Sequence, residues 1–378
     1  MIVDETQIAK QKNMRILFVT AAPYLPQSHG GMATCADDLC RSLKIKGHRV
    51  SVLAGFLHHP SLIGWKSRIK MRINESLSGC KVSRDIFGGY PVWRSWFPWE
   101  ALGYVAHKEK PNLIVVMAGN RAGGGPVTMA LAAQRTTIPI LMLLQDVDFD
   151  SHGARFEDLG NVPCIANSRF TAEKYRDAYG VKSASVIYPF IETRKYETKT
   201  TRENVTFVNP VQIKGLDTAL GVARLCPEIP FTFVEAWRLS PEPRQKLMEQ
   251  LAALPNVTLC PPQTDMRGVY GKCKILLAPS VWEEAYGRVA TEAQMSGIPV
   301  VASARGGLPE AVGPGGILLK HDQPISDWAD AIRKLWQDQQ HYAKLSAAAL
   351  TYAQRREMTF AYQIDAWEKA LSVASIAT

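Results

Sequence analysis

Ala278–Gly313 reads APSVWEEAYGRVATEAQMSGIPVVASARGGLPEAVG, and its reading decides the fold. The apolar run Lys274–Pro279 enters it as a buried strand, and a loop carrying Glu283, Glu284 and Gly287 follows. An amphipathic helix is expected over about Arg288–Ser296, then a turn at Gly297 and a second apolar strand, Pro299–Ser303. That is one βαβ unit, and its loop lies beyond the carboxyl end of a strand, where parallel sheets present ligand sites. Glu284 stands before the helix and Glu292, eight residues on, inside it. Gly287 lets backbone approach a ligand closely, and the N–H groups of Arg288 and Val289 face an anion at the positive end of the helix dipole.

A ligand with hydroxyls at both ends and phosphates in the middle suits this arrangement, and a nucleotide sugar is such a ligand. Glu-Ala-Tyr-Gly-Arg-Val-Ala-Thr-Glu-Ala (284–293), followed by Gly-Ile-Pro-Val-Val-Ala-Ser (297–303) and Gly-Gly-Leu-Pro-Glu (306–310), closely resembles the signature of the retaining family 4 glycosyltransferases of GT-B fold. The resemblance implies that Glu284 holds the donor sugar, that Glu292 hydrogen-bonds the ribose hydroxyls, and that the amides of Tyr286, Gly287 and Arg288 meet the sugar and diphosphate. The competing reading makes both glutamates solvated charges on a surface helix.

At 378 residues the chain accommodates two domains, and 46% hydrophobic with 21% charged residues is the balance of a soluble globular protein. No apolar run reaches bilayer length, and the leader MIVDETQIAKQKNM lacks the apolar core of a secretory signal. A cytoplasmic protein is expected, with peripheral contact at the inner face of the membrane as a further option. The seven cysteines (35, 40, 80, 164, 226, 260, 273) show no Cys-x-x-Cys pair or metal spacing and read as packing residues. The formal charge of +9 calls for anionic partners. Nucleotide diphosphates and an anionic membrane face are the candidates. Nucleic acid is disfavoured, because the cations are dispersed without a recognisable binding motif.

Arg15–Thr20 reads as a strand, Met32–Lys46 as a helix and His48–Ala54 as the next strand, a Rossmann-like opening. Gly30 and Gly31 precede the helix where side chains would keep a phosphate from the backbone amides. The spacing is not G-x-G-x-x-G, so a dinucleotide fingerprint is unmet. The pair resembles instead the Gly-Gly loop of the GT-B N-domain, which faces the donor diphosphate.

From Phe56 to Tyr104 the chain is basic and aromatic, with Trp65, Lys66, Arg68, Lys70, Arg72, Lys81, Arg84, Trp93, Arg94, Trp96 and Trp99. It reads either as an acceptor site or membrane-facing patch, or as a hairpin turning at Gly88-Gly89 into a strand Pro91–Arg94 with irregular loops that pack their tryptophans. Strands are then expected at Asn112–Ala118, Pro139–Asp146, Val162–Asn167 and Ala184–Pro189, with helices near Pro126–Gln134 and Phe170–Tyr179, the latter capped by Ser168. Relatives carry a histidine before an aspartate at the end of the second of these strands. Here Gln145 precedes Asp146, and glutamine exchanges no proton near neutral pH. Asp146 or Asp148 is the candidate to assist the acceptor, though a turn role serves either as well, and Asn120 is a further candidate.

The charged stretch 188–202 reads as containing the interdomain linker. A second domain opens with the strand Asn204–Asn209 and the segment Pro210–Gly215. Relatives have Gly-Arg, several residues, then Lys-Gly, with Arg and Lys clamping the diphosphate. Lys214-Gly215 matches the second half, whereas Asn209-Pro210 stands where Gly-Arg is expected. Arg238 and Arg288 are candidates to supply the missing guanidinium. Helices at 216–226, 241–254, 266–272, 325–337, 341–354 and 359–373 and strands at 231–235, 256–260 and 316–320 complete the pattern.

The expectation is therefore an α/β chain of GT-B type, two Rossmann-like domains facing a central cleft: an acceptor domain at 1–190, a linker at 191–203, a nucleotide-sugar domain at 204–356, and a helix within 357–378 that crosses back. The resemblance implies a retaining transfer from a nucleoside-diphosphate sugar to a hydroxyl of a glycan or lipid-linked acceptor, without metal or other cofactor. Glu284, Lys214 and Asp146 are the candidate catalytic residues, and Gly30, Gly31, Lys214, Arg238, Tyr286, Gly287, Arg288, Val289 and Glu292 the candidate donor contacts. A non-catalytic nucleotide-sugar-binding partner of an active transferase, or an epimerase on the same fold, are the alternatives, and the unmet fingerprint disfavours an NAD-dependent oxidoreductase.

Overall fold

The structure is a computed structural model that describes residues 13–28, 30–57, 79–119, 124–182, 184–237 and 239–376. The chain divides into two units, one formed by residues up to Phe190 together with those from Phe360 onward, the other by Ile191–Thr359.

In unit 1 the strands are β1 (Arg15–Pro23), β2 (Arg49–Gly55), β3 (Val82–Phe87), β4 (Tyr90–Ser95), β5 (Leu113–Met117), β6 (Ile140–Leu144), β7 (Cys164–Ala166) and β8 (Ala184–Val186). Their order is β3-β4-β2-β1-β5-β6-β7-β8, parallel except for the β3–β4 hairpin. Helices α1 (Gly31–Ile45), α2 (Pro98–Glu109), α3 (Pro126–Gln134) and α4 (Arg169–Tyr179) join them. The unbroken apolar runs follow from a sheet buried on both faces. Ile16, Phe18 and Val115 face one core, and Leu17, Val19, Ile114 and Val116 the other.

Unit 2 contains β9 (Asn204–Val208), β10 (Phe231–Val234), β11 (Val257–Cys260), β12 (Cys273–Ala278), β13 (Val300–Ser303) and β14 (Gly316–Leu319), with α5 (Leu216–Leu225), α6 (Pro241–Ala252), α7 (Arg267–Tyr270), α8 (Arg288–Gln294), α9 (Leu308–Val312), α10 (Ile325–Gln337) and α11 (Gln339–Ala353). All strands are parallel, in the order β11-β10-β9-β12-β13-β14. The chain runs outward from β9 to β11 and returns to β12 beside β9. The loops after β9 and β12 therefore flank a topological switch point, where α/β sheets hold their ligands.

The last helix, α12 (Phe360–Ala374), belongs to unit 1. Its Ile364, Trp367 and Leu371 enter the core beside Ile16 and Phe18, and Gln363 donates to the carbonyls of Tyr188 and Pro189, both at 3.2 Å.

Three segments differ from the sequence expectation. Residues 98–104, the end of the segment read as irregular, belong to α2, opened by a proline at its first position, where the missing N–H costs nothing. Residues 191–203, read as linker, pack on unit 2. Tyr196 is buried, the N–H of Thr198 donates to Ser296 Oγ at 2.9 Å, and Thr200 Oγ1 donates to the carbonyl of Cys273 at 2.5 Å. In the basic aromatic segment Arg94 is no surface cation. It is 2% exposed, pairs with Asp85 at 3.3 Å, and donates to the carbonyls of Tyr24 (3.3 Å) and Leu25 (2.5 Å). Trp93 is buried against Tyr104, and Trp96 lies against Phe56. Trp65, Lys66, Arg68, Lys70 and Arg72 lie outside the described residues.

Candidate active site

The loops after β9 and β12 are stitched together at the switch point. The carbonyl of Ile213 accepts the N–H groups of Val281 (3.1 Å) and Trp282 (3.0 Å) and the hydroxyl of Ser280 (3.2 Å). Gly215 sits at φ 86° so close to the next loop that a Cβ would run into the carbonyl of Pro279, which is why glycine follows Lys214. This seating brings Lys214 Nζ to 2.5 Å from Glu284 Oε1, which also accepts Ser280 Oγ at 3.0 Å. The two side chains are 19% and 18% exposed, so the pair is partly shielded while still reachable. Lys214 Nζ also lies 5.3 Å from the centre of the Trp237 ring.

Asn209 occupies a left-handed backbone conformation, φ 67°. Asparagine tolerates that region as glycine does, so it can stand where the resemblance leads one to expect glycine. Pro210 brings no charge in place of the arginine. Arg238 lies outside the described residues, and the guanidinium of Arg288 is committed elsewhere: Nε donates to Glu292 Oε1 at 3.0 Å and Nη2 to the hydroxyl of Tyr196 at 2.9 Å.

Gly287 opens α8 at φ 97°, and a Cβ there would lie 2.6 Å from Leu308 Cδ2. The helix has seven residues, so its first N–H groups, those of Arg288 and Val289, matter more than any long dipole. The Tyr286 side chain is buried, its hydroxyl 2.9 Å from Thr291 Oγ1 and accepting from Arg355 at 3.1 Å, and burial pushes the phenol up. Glu292 is also buried. Its Oε2 accepts the hydroxyl of Tyr270 at 2.9 Å, and burial together with this carboxylate raises the Tyr270 phenol well above its ordinary value. Each carboxylate oxygen retains a second acceptor direction. Gly306 and Gly307 close on the backbone of residues 283–286, with the Gly307 N–H donating to the carbonyl of Glu284 at 2.6 Å.

In unit 1, Gly30 caps α1 with φ −70° and ψ 155°, and a Cβ there would meet nothing within 4 Å. Neither packing nor backbone conformation demands glycine at this position. Asp146 Oδ1 accepts the N–H of Asp148 at 3.1 Å, and its carbonyl accepts the Tyr175 hydroxyl at 3.1 Å. Asn120 is outside the described residues. Buried polar atoms of unit 1 without a hydrogen-bond partner include Thr128 Oγ1, Gln145 Oε1, His152 Nδ1 and Asn167 Oδ1.

Sequence reasoning missed several residues of these loops. Ser280, Tyr270 and Trp237 carry no motif. His152 is buried, its Nε2 2.9 Å from the Tyr175 hydroxyl, and burial lowers its basicity. Arg305 donates to His321 Nε2 at 2.5 Å and has no carboxylate partner among the described residues. Among the described residues no three His, Cys, Asp or Glu side chains converge as metal ligands, and no helix is long and apolar enough to cross a membrane.

Residues 191–351 match the family described as "Glycosyl transferases group 1". The D-inositol 3-phosphate glycosyltransferase of Mycolicibacterium smegmatis is 34% identical over 177 residues, 44% of this chain and 39% of that protein. The enzyme of that name from Corynebacterium aurimucosum is 44% identical over 96 residues, 25% of this chain and 22% of that protein. The chain thus spans well under half the length of these relatives. Among solved structures, Anabaena Alr3699/HepE in complex with UDP and glucose superposes with a TM-score of 0.72 at 20% identity, covering 94% of this chain and 99% of that one. WaaG, a glycosyltransferase involved in lipopolysaccharide biosynthesis, gives 0.68 at 14% identity, covering 94% and 99%. Residues 191–351 thus resemble the glycosyl transferases group 1 family, and the fold is that of the GT-B glycosyltransferases.

Proposed function

We propose that the protein transfers a sugar, with retention of anomeric configuration, from a nucleoside-diphosphate sugar to a hydroxyl acceptor in polysaccharide, glycolipid or glycoconjugate biosynthesis. The observation that carries this reading is the meeting of Lys214 and Glu284 across the switch point of unit 2. Structures of similar fold hold UDP and UDP-glucose, which supports a donor of that class.

In this reading Lys214 stands beside the diphosphate and stabilises its growing charge as it leaves, in place of a metal ion. Glu284 accepts from the sugar hydroxyls, and the N–H groups of Tyr286, Gly287, Arg288 and Val289 donate to the sugar and diphosphate. Glu292 uses its remaining acceptor directions for the ribose. Gly30 and Gly31 give the diphosphate access to backbone, and Asp146 orients the acceptor. The bond from the anomeric carbon to the diphosphate oxygen breaks while the acceptor oxygen bonds the same face, and the acceptor proton passes to the departing diphosphate. Gln145 is then no obstacle, since no side chain has to take that proton. The site of action proposed is the cytoplasm, with peripheral contact at an anionic membrane face.

The test is calorimetric titration with UDP, GDP and ADP and their sugar derivatives, followed by assay of slow donor hydrolysis. Wild type binds one base and hydrolyses one sugar. Glu284→Ala keeps the free nucleotide and loses transfer, whereas Glu292→Gln binds nucleotide more weakly. Absence of binding to all three nucleotides refutes the reading, and equal nucleotide affinity in Glu292→Gln refutes the ribose assignment.

A further inference from the structure

Lysine ends a flexible four-carbon stem and offers a point charge rather than a planar fork, so an isolated lysine is poorly aimed. Among the described residues of the loops after β9 and β12 it is the one cation. Pro210 has replaced the expected arginine, and the guanidinium of Arg288 is held by Glu292 and Tyr196. Among the described residues two groups meet the ammonium of Lys214: the carboxylate of Glu284 at 2.5 Å and the ring of Trp237, with its centre at 5.3 Å. They differ in how they act once a diphosphate arrives. A carboxylate repels the incoming anion and is itself required for the sugar. An indole attracts a cation through its quadrupole, carries no charge and competes for nothing.

Trp237 is itself held in place. Its backbone N–H donates to Asn209 Oδ1 at 3.1 Å, which fixes the main chain that carries the ring, and the Asn209 N–H donates to the carbonyl of Val234 at 2.7 Å. Asn209 is 5% exposed and left-handed, so it forms a fixed brace between the loops after β9 and β10. The indole, by contrast, is 44% exposed, far more than burial of an apolar side chain would leave it. An exposed tryptophan beside the one lysine of the loop is explained if its role is toward that lysine.

We propose that Trp237 is the positioning residue for Lys214: braced by Asn209, its ring aims the ammonium at the diphosphate of the donor and compensates for the missing arginine. The inference rests on the reading that Lys214 meets the diphosphate.

The experiment measures affinity for UDP, GDP and ADP, and for uridine, guanosine and adenosine, in wild type, Lys214→Ala, Trp237→Leu, Trp237→Phe and the Lys214→Ala/Trp237→Leu double variant. The nucleotide that binds wild type tightest serves as probe, and thermal melting checks each fold. Trp237→Leu weakens the nucleoside diphosphate about three- to tenfold, the range of an exposed to partly shielded cation–π contact. Trp237→Phe restores most of the affinity, and the free nucleoside is unaffected by either change. The double variant binds no more weakly than Lys214→Ala, since the ring acts through the lysine. Equal weakening for nucleoside and nucleoside diphosphate, or additivity in the double variant, overturns the inference and makes Trp237 a wall for the base. Unchanged affinity in Lys214→Ala overturns instead the reading of the site on which it rests.

Discussion

Replacing Gly306 by alanine tests how Glu284 is held. A Cβ at position 306 would lie 2.6 Å from both the backbone nitrogen and oxygen of Glu284, and 2.9 Å from the carbonyl carbon of Glu283. These are backbone atoms, so no side chain can swing away. Ordinary contact begins at 3.4 Å, and the two loops must part by about 0.8 Å. The left-handed conformation, φ 61°, adds about 1–2 kcal/mol for any L side chain, and the forced opening about 1–3 kcal/mol. Gly306→Ala is therefore expected to lose about 2–5 kcal/mol in urea unfolding. Because the displaced atoms carry Glu284, a shift near 1 Å lowers donor turnover about a hundredfold in molecules that remain folded. A variant within about 0.5 kcal/mol of wild type, with normal turnover, refutes the claim that the Gly306-Gly307 loop positions this carboxylate.

Gly30→Ala separates ligand access from folding: stability falls by about 1 kcal/mol at most, whereas donor turnover drops several-fold, and unchanged turnover removes the loop from the donor site. Tyr270→Phe keeps the ring and leaves Glu292 Oε2 without its 2.9 Å donor, costing about 1.5–3 kcal/mol, read as a lower urea midpoint at unchanged slope. An unmoved midpoint refutes the buried hydrogen bond. His152, depressed by burial, favours its neutral form in the folded state, so its contribution is fully present above the unfolded value of about 6.5 and is lost as pH falls through the depressed folded value. Wild type should lose stability relative to His152→Gln as pH falls below about 6.5, and parallel melting curves on the acid side of that value contradict this.

Much of the fold was legible because parallel strands buried on both faces leave continuous apolar runs: Arg15–Pro23, Ile140–Leu144 and Cys273–Ala278 were each visible within a few residues. The Gly88-Gly89 turn was legible too, both residues having positive φ. Helix α2 was not, because its tryptophan and lysine content matched the aromatic segment before it and obscured the helix-opening Pro98. In the site, Lys214, Glu284, Glu292 and Gly287 lay within motifs whose spacing survives in sequence. Trp237 and Tyr270 could not be found that way. Each meets its partner through adjacent strands or buried packing, Lys214 twenty-three residues away and Glu292 twenty-two residues away, with no spacing rule behind either. The state of Arg288 was equally hidden, since a guanidinium facing a ligand and one turned onto Glu292 have the same sequence.

The membership of α12 in unit 1 dictates an order of assembly during synthesis. Ile364, Trp367 and Leu371 are needed to cover Ile16 and Phe18, yet they are made only after all of unit 2. At about 5–20 residues per second, the first 190 residues wait about 10–35 s for the helix that closes their core. Unit 2, by contrast, is continuous in sequence and can complete itself as it leaves the ribosome. A stop codon before Phe360 would therefore spare the unit that carries the family signature and leave the other with an uncovered apolar face, a substrate for chaperones and proteases rather than a shorter enzyme.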